Sequence, residues 1–119
     1  MSQYNLAELK KIAGFKVVSL VDVNSGVAVA SESATDFDIV LASSGNAKIV
    51  KTKRDVANSL NLDDEIEDIL ITLGKEYHLI RLLKKNTNYF LYLVLDRAEA
   101  HLGLARLDLK AFEAQLDFS

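Results

Sequence analysis

Residues 89–95 are the feature that most constrains the fold, because they are seven consecutive apolar side chains, YFLYLVL. A strand of this composition is apolar on both faces, so it has to lie inside a sheet that is covered on both sides. After Asp96 the apolar residues recur at spacings of three and four. This pattern predicts a helix to about Asp117, with Asp96 as its cap and Glu99 completing a capping box. The strand is therefore expected to run directly into a helix.

Turn residues divide the rest of the chain into further strand-like and helical segments. Asn24-Ser25-Gly26 predicts a hairpin, and Thr35 is expected to cap a long middle helix with Asp38 near its positive end. The predicted elements are helix 4–13, strands 15–23 and 27–33, a helix from Asp36 to about Ser59, strands 65–73, 76–85 and 89–95, and the last helix.

This element order, αββαβββα, predicts a single α/β (α+β) domain over residues 1–119. Short turns between the strands favour mostly antiparallel pairing. The doubly apolar strand requires helices on both faces of the sheet. We therefore expect a three-layer α/β/α sandwich around a five-stranded, mostly antiparallel sheet, which 119 residues can form around one core.

Composition argues against several classes of function. The chain has no cysteine, which excludes disulfides, thiol nucleophiles, iron–sulfur clusters and thiolate-bound zinc. A formal net charge of −3 argues against general nucleic-acid binding. No stretch approaches the ~18 apolar residues of a membrane span, so membrane insertion is not expected. The amino terminus lacks a signal-peptide pattern, and a cytoplasmic protein is predicted.

No catalytic, metal-binding or cofactor-binding residue is predicted. His78 and His101 have no carboxylate at a ligand-like helical spacing, and they are interpreted as ordinary surface or boundary histidines. The acidic run from Asp63 to Asp68 lacks the alternating ligands and central glycine of a calcium loop. Glycine-rich phosphate motifs and a G-x-S-x-G elbow are absent from the sequence. We therefore expect a non-enzymatic protein that binds other proteins.

Three segments resemble the roadblock/dynein light chain family: the hairpin VVSLVDVNSGVAVAS, the run YFLYLVLDRAEAHLGLARLDL, and the long middle helix. The resemblance covers roughly Leu6 to Leu116 in the family's element order. It implies a profilin-like sandwich, a homodimer formed through the middle helix and the following strand, and a scaffold or regulator of small Ras-like GTPases. Bacterial members include a GTPase-activating partner that arranges the GTPase's own residues. Residues 43–46 interrupt the middle helix relative to the family pattern.

The middle helix and the strand at 65–73 supply the predicted dimer interface. The apolar side of the helix shifts at Gly45, which predicts either a kink or a straight helix with one face on a symmetry mate. An unprotected edge at 69–73 would pair with that mate, whereas an acidic, solvated edge is the alternative. The dimer-interface candidates are Phe37, Val40, Leu41, Ser44, Gly45, Lys48, Ile69, Ile71 and Leu73.

Basic residues of the middle helix form a second candidate surface. Lys48 and Lys51 are three apart and share a face. The cluster predicts an electrostatic contact with an acidic partner or with the acidic run of a symmetry mate, and a role in solubility is the alternative. The partner-binding candidates are Lys48, Lys51, Lys53 and Arg54.

The last helix has two apolar stripes. The first is expected to cover the sheet, and the second is covered by the first helix, exposed as mixed surface, or used as a partner groove. A small-molecule-sensing module and a purely structural adaptor also remain open as functions. The first stripe is Ala98, Leu102, Ala105, Leu109, Phe112 and Leu116, and the second is Ala100, Leu104, Leu107, Ala111 and Ala114.

Overall fold

The computed structural model describes residues 4–118, which form one five-stranded antiparallel sheet between two helical layers. The strands are β1 (Phe15–Asp22), β2 (Ala28–Ser33), β3 (Asp68–Thr72), β4 (Glu76–Leu82) and β5 (Tyr89–Asp96), and the helices are α1 (Ile39–Ser59), α2 (Leu102–Gln115) and a 3₁₀ helix (Ala7–Lys11). The spatial order β2-β1-β5-β4-β3 places β5 in the centre and leaves β2 and β3 at the two edges.

Strand β5 is buried on both faces, which confirms the prediction from residues 89–95. Phe90, Tyr92 and Val94 pack into the core on the α1 side of the sheet. The alternate residues, Leu91, Leu93 and Leu95, pack into the core on the α2 side. Each fully buried aliphatic or aromatic side chain of this size contributes about 1.5–3 kcal/mol to folding. The predicted three-layer sandwich is present.

The α2 face of the sheet is closed by α2 together with the 3₁₀ helix. Ala105, Leu109, Phe112 and Leu116 of the first predicted stripe are buried there. Leu102 is half-buried, whereas Ala98 is exposed and precedes the helix. No helix in residues 4–118 combines the length and the apolar character that crossing a bilayer requires.

A buried carboxylate fixes α2 to the turn between β4 and β5. Glu113 is only 6 % exposed, and its Oε1 accepts a 2.9 Å hydrogen bond from Arg81 Nε. Its Oε2 accepts the backbone N–H groups of Lys84 and Lys85 at 2.8 and 2.9 Å. The charge is therefore both paired and hydrogen-bonded, which is the condition for burying it.

The last helix begins five residues later than predicted, and the capping role assigned to Asp96 is wrong. Residues 97–101 form a turn, in which Asp96 O accepts the N–H groups of Glu99 and Ala100 and Asp96 Oδ1 accepts that of Ala98. The same carboxylate chemistry that caps a helix here closes a turn. Glu99 lies exposed in this turn.

The beginnings of the other two helices also differ from the prediction. Asp38, not Thr35, caps α1, because its Oδ1 accepts the Leu41 N–H at 3.0 Å. The helix predicted over 4–13 is a short 3₁₀ helix. Leu9 within it and the flanking residues Leu6 and Ile12 are buried, and they follow the three-residue period of that helix type. The middle helix continues through residue 45 without interruption.

Gly14 joins the 3₁₀ helix to β1 in a conformation that favours glycine. Its φ is +82°, and a Cβ added there would lie 2.8 Å from the carbonyl oxygen of Asp96. The Asp96 N–H also donates to Gly14 O at 2.7 Å. Two separate constraints, the left-handed backbone and the close approach to β5, therefore require glycine at this position.

Replacing Gly14 with alanine is expected to lower the free energy of unfolding by about 1–3 kcal/mol, because the strained backbone and the crowded Asp96 carbonyl both oppose a Cβ. Urea unfolding followed by circular dichroism measures the change. Gly103→Ala is the control, because a Cβ there meets no atom within 4 Å and the site is helical. Equal effects of the two variants would contradict the role given to Gly14.

Candidate protein-interaction surface

Helix α1 rests on the sheet through small and polar side chains. Only Ser43, Asn46, Ala47 and Val50 of its 21 residues are buried. The hydroxyls of Ser43 and of Ser19 in β1 are both buried without a hydrogen-bond partner in residues 4–118. Buried polar groups without partners reduce the stability gained from packing. The α1 layer is therefore held less tightly than the α2 layer.

One side of α1 leans against the turn between β1 and β2. Gly26 in that turn has φ +73°, and a Cβ added there would lie 3.1 Å from Ser44 Cα. Lys51 Nζ donates a 3.1 Å hydrogen bond to the carbonyl oxygen of Asn24. Because this turn belongs to the β2 edge of the sheet, these contacts define the hairpin side of α1.

The opposite side of α1 is an exposed apolar stripe, which we call the free flank. Leu41, Gly45, Ile49 and Val56 follow one another at helical spacings of four, four and seven. The side chains of Leu41, Ile49 and Val56 are 68, 38 and 43 % exposed. Because the hairpin side faces β2, the free flank faces β4 and β3, over which α1 provides little cover.

Strand β3 lies beside the free flank and adds residues to the same surface. It pairs with β4 only, so its other edge carries backbone groups that no strand in residues 4–118 uses. Ile69 packs against the core on the α1 side, and strand alternation places Ile71 and Leu73 on that same face. Ile71 is half-buried and Leu73 is 43 % exposed. The free flank and these three residues together form the α1–β3 surface.

The predicted interface residues divide between the two sides of α1. Leu41 and Gly45 lie on the free flank, on the side of the sheet to which Ile69, Ile71 and Leu73 belong. Val40, 81 % exposed, and Ser44 lie towards the hairpin side, and Lys48, seven residues after Leu41, points outward beside Leu41 at the edge of the free flank. Phe37 precedes α1, and its ring centroid lies 6.2 Å from that of Tyr92.

The four basic candidates do not form one continuous face. Lys48 is exposed beside Lys51, which is hydrogen-bonded to the hairpin. Lys53 is exposed towards the free flank. Arg54 is half-buried and projects from the sheet-facing side of α1. Only Lys48 and Lys51 therefore share a direction, as their spacing predicts.

A chain of polar groups crosses the α1 side of the sheet beside this surface. Tyr92 Oη lies 2.9 Å from His78 Nδ1, and His78 Nε2 lies 3.0 Å from Glu76 Oε1. Glu76 Oε2 accepts a 2.8 Å hydrogen bond from Lys16 Nζ. His78 pairs directly with Ile71 of β3, so the chain reaches the α1–β3 surface.

Burial and neighbouring charges set the protonation of this chain. Burial raises the pKa of Tyr92 to about 12, and a hydrogen bond with Asn46 acts in the opposite direction. Tyr92 therefore keeps its proton. In the His78 tautomer that carries its hydrogen on Nε2, Tyr92 donates to Nδ1 and the Nε2–H donates to Glu76. The hydrogen bonds with His78 and then Lys16 hold the pKa of Glu76 below its ordinary value.

This chain of polar groups was not predicted, although the sequence carries two signals for it. Glu76 and His78 are two apart on a strand and so share a face. A tyrosine inside a fully apolar strand needs a partner for its hydroxyl. The other polar candidates stay separate: His101 precedes α2 and is exposed, and no group of three or more potential metal ligands occurs among residues 4–118.

The second stripe of α2 lies largely in solvent. Leu104 and Leu107 are 59 and 63 % exposed. The 3₁₀ helix reaches only the end of the stripe, where Ala111 shares a surface cleft with Leu9 and Ile12. The first helix therefore does not cover the two leucines.

Replacing Glu76 with glutamine is expected to lower the free energy of unfolding at pH 7 by about 1 kcal/mol, because two charge-assisted hydrogen bonds weaken. A lowered carboxylate pKa stabilises the folded state above the ordinary value of 4.5, and this stabilisation is lost as pH falls through the folded value. The difference from the parent protein should therefore shrink below pH 4.5 in urea-unfolding series.

Glu99→Gln is the control for this series, since Glu99 lies exposed in the 97–101 turn. It should leave the free energy of unfolding near that of the parent protein at every pH. A Glu76→Gln difference that stayed constant down to pH 3 would contradict the role given to the ionised carboxylate.

The fold of this chain is similar to that of several solved structures. The chain is similar to Myxococcus xanthus MglB, with a TM-score of 0.79 and 26 % identity over 90 % of this chain and 77 % of that one. It is also similar to a roadblock/LC7 domain from Streptomyces avermitilis, with a TM-score of 0.79 and 6 % identity over 92 % of this chain and 88 % of that one.

A third similar structure is an MglB with a tetrameric arrangement, with a TM-score of 0.78 and 18 % identity over 91 % of this chain and 79 % of that one. No protein-family model matches the sequence, and no match was found among curated proteins. The backbone of this chain is therefore more similar to these structures than its sequence is, and the similarity shows a roadblock/LC7 fold.

Proposed function

We propose that this chain, which has the roadblock/LC7 fold, is a non-enzymatic homodimeric regulator or scaffold that binds a small Ras-like GTPase in the cytoplasm. The observation that carries the proposal is the α1–β3 surface, where an apolar helix flank lies beside a strand edge without a neighbour. Both features favour binding to another protein. An interface would remove the exposed apolar side chains from water and would give the backbone groups at the strand edge hydrogen-bond partners.

Self-association is supported by the form of this surface. Pairing of β3 with β3 of a second copy would give the unused backbone groups hydrogen-bond partners. The same two-fold axis would bring the free flanks of the two α1 helices together, since a symmetric interface uses the same patch twice. Position 45 faces open space, because no atom lies within 4 Å of an added Cβ, and a glycine there would let a partner helix approach closely. The tetrameric arrangement of one similar protein is consistent with copies associating.

The GTPase partner is supported by the family resemblance. In the proposed dimer, the outward sides of the two α1 helices would form one composite face with Lys48 near its centre. That face would contact the switch regions of the GTPase and shift their populations towards a hydrolysis-competent or a sequestered state. The GTPase would keep its own catalytic residues, and the dimer would act by positioning them.

Leu41→Glu is expected to weaken self-association at least about tenfold, because it places a carboxylate in the proposed apolar contact. The residue is 68 % exposed in the single chain, so the fold should persist. Sedimentation equilibrium measures the change. Val40→Glu is the matched control: it is the adjacent position, 81 % exposed, on the hairpin side. A monomeric parent protein, or equal effects of both substitutions, would contradict the proposed interface.

Lys48→Glu is expected to slow association with the GTPase about tenfold at low salt and to leave the dimer intact, because an exposed charge steers encounter more than it sets affinity. Stopped-flow or surface binding of GTPases from the same cell, loaded with GDP or a GTP analogue, measures the rate. Lys110→Glu on α2 is the control. If none of these GTPases bound in either nucleotide state, the regulator assignment would fail while the dimer could stand.

A further inference from the structure

A small cleft lies at the carboxyl-terminal end of α1. It occupies about 300 Å³ between the last turns of α1, the loop that leads to β3, and the turn between β4 and β5. This volume is at the lower end of the range for small-molecule sites in proteins. The lining residues that matter here are Arg54, Asp64, Glu65, Ile66, Leu82 and Thr87.

Arg54 is the most unusual group in this cleft. Its side chain projects from the sheet-facing side of α1 and is half-buried. No hydrogen bond or ion pair joins the guanidinium to any of residues 4–118. A guanidinium carries five donors in a planar fork that suits a carboxylate. The other lining cation, Lys84, is already paired with Glu67 at 3.2 Å. Arg54 is thus the cation that remains available to a ligand.

The rest of the cleft supplies an apolar wall and negative charge. Ala57 of α1, Ile66 of the loop that leads to β3 and Leu82 of β4 form the apolar part of the lining on the α1 side of the sheet. Asp64 uses one oxygen to accept the Glu65 N–H, and the Glu65 carboxylate has no partner among residues 4–118. One unpaired cation, an unpaired carboxylate and an apolar wall therefore share a single small space. These are the groups that recognise a zwitterion with an apolar side chain.

We propose that this cleft binds a small aliphatic α-amino acid. Arg54 holds the carboxylate of the ligand in a bidentate contact, and Thr87 can donate a further hydrogen bond to it. Glu65 and Asp64 hold the ammonium group, and the side chain of the ligand packs against Ile66 and Leu82. Such a ligand ties the end of α1 to the β4–β5 turn. The proposal does not depend on the dimer or on a GTPase partner.

L-leucine titrated into the full chain, with amide resonances followed by NMR, tests the proposal. We expect saturable shifts at Arg54, Ala57 and Thr87. N-acetyl-leucine, which lacks the ammonium group, and leucinamide, which lacks the carboxylate, should each bind at least about tenfold more weakly, because each leaves one charged group of the cleft unpaired. Equal binding of leucine and either analogue would overturn the assignment, as would the absence of saturable shifts at millimolar leucine.

Arg54→Gln gives a second, independent test. It should weaken leucine binding at least about tenfold, and Arg54→Lys should restore only part of the loss, because a lysine keeps the charge but not the planar fork. Lys110→Gln, an exposed cation on α2 in the other helical layer, should bind leucine like the parent protein. Unchanged leucine binding in Arg54→Gln, with its amide spectrum otherwise preserved, would overturn the role of this residue.

Discussion

The need to cover both faces of β5 determines the architecture of this protein. Six consecutive side chains, residues 90–95, are 0–2 % exposed, and they alternate between the two cores. Neither face can be left in water without losing the apolar burial that stabilises the fold. Strands β1 and β4 therefore flank β5, and a helical layer lies on each side. The edges of the sheet and the outer sides of the helices are what remain for binding.

The two helical layers meet this requirement in different ways, and the difference produces the candidate interaction surface. The α2 layer is sealed by large apolar side chains and by Glu113, whose charge is fully compensated by Arg81 and two backbone N–H groups. The α1 layer is held by small and polar residues, including Ser43 without a hydrogen-bond partner in residues 4–118. Apolar surface that α1 does not use on its own sheet is left exposed on the free flank, where a second chain can bury it.

The sequence predicted the parts of the fold that depend on apolar periodicity and could not predict those that depend on tertiary contacts. The order of elements along the chain, the hairpin at Gly26 and the burial of β5 follow from local pattern. The beginning of α2 does not, because Asp96 has equal capacity to cap a helix and to close a turn. The side of α1 that faces the sheet could not be predicted from apolar pattern either, because its buried residues Asn46 and Ala47 are less apolar than its exposed Leu41. The cleft around Arg54 joins three distant segments, so no spacing in the sequence could indicate it.

Hydrogen exchange of the two edge strands as a function of protein concentration tests the central claim most directly. The α1–β3 surface is proposed to join two copies, so the amides of β3 (Asp68–Thr72) should exchange at least about tenfold more slowly once the protein associates. The amides of β2 (Ala28–Ser33), at the opposite edge, serve as the internal reference and should exchange at a constant rate. Exchange from β3 that is independent of concentration, or protection that appears at β2 instead, would contradict the account.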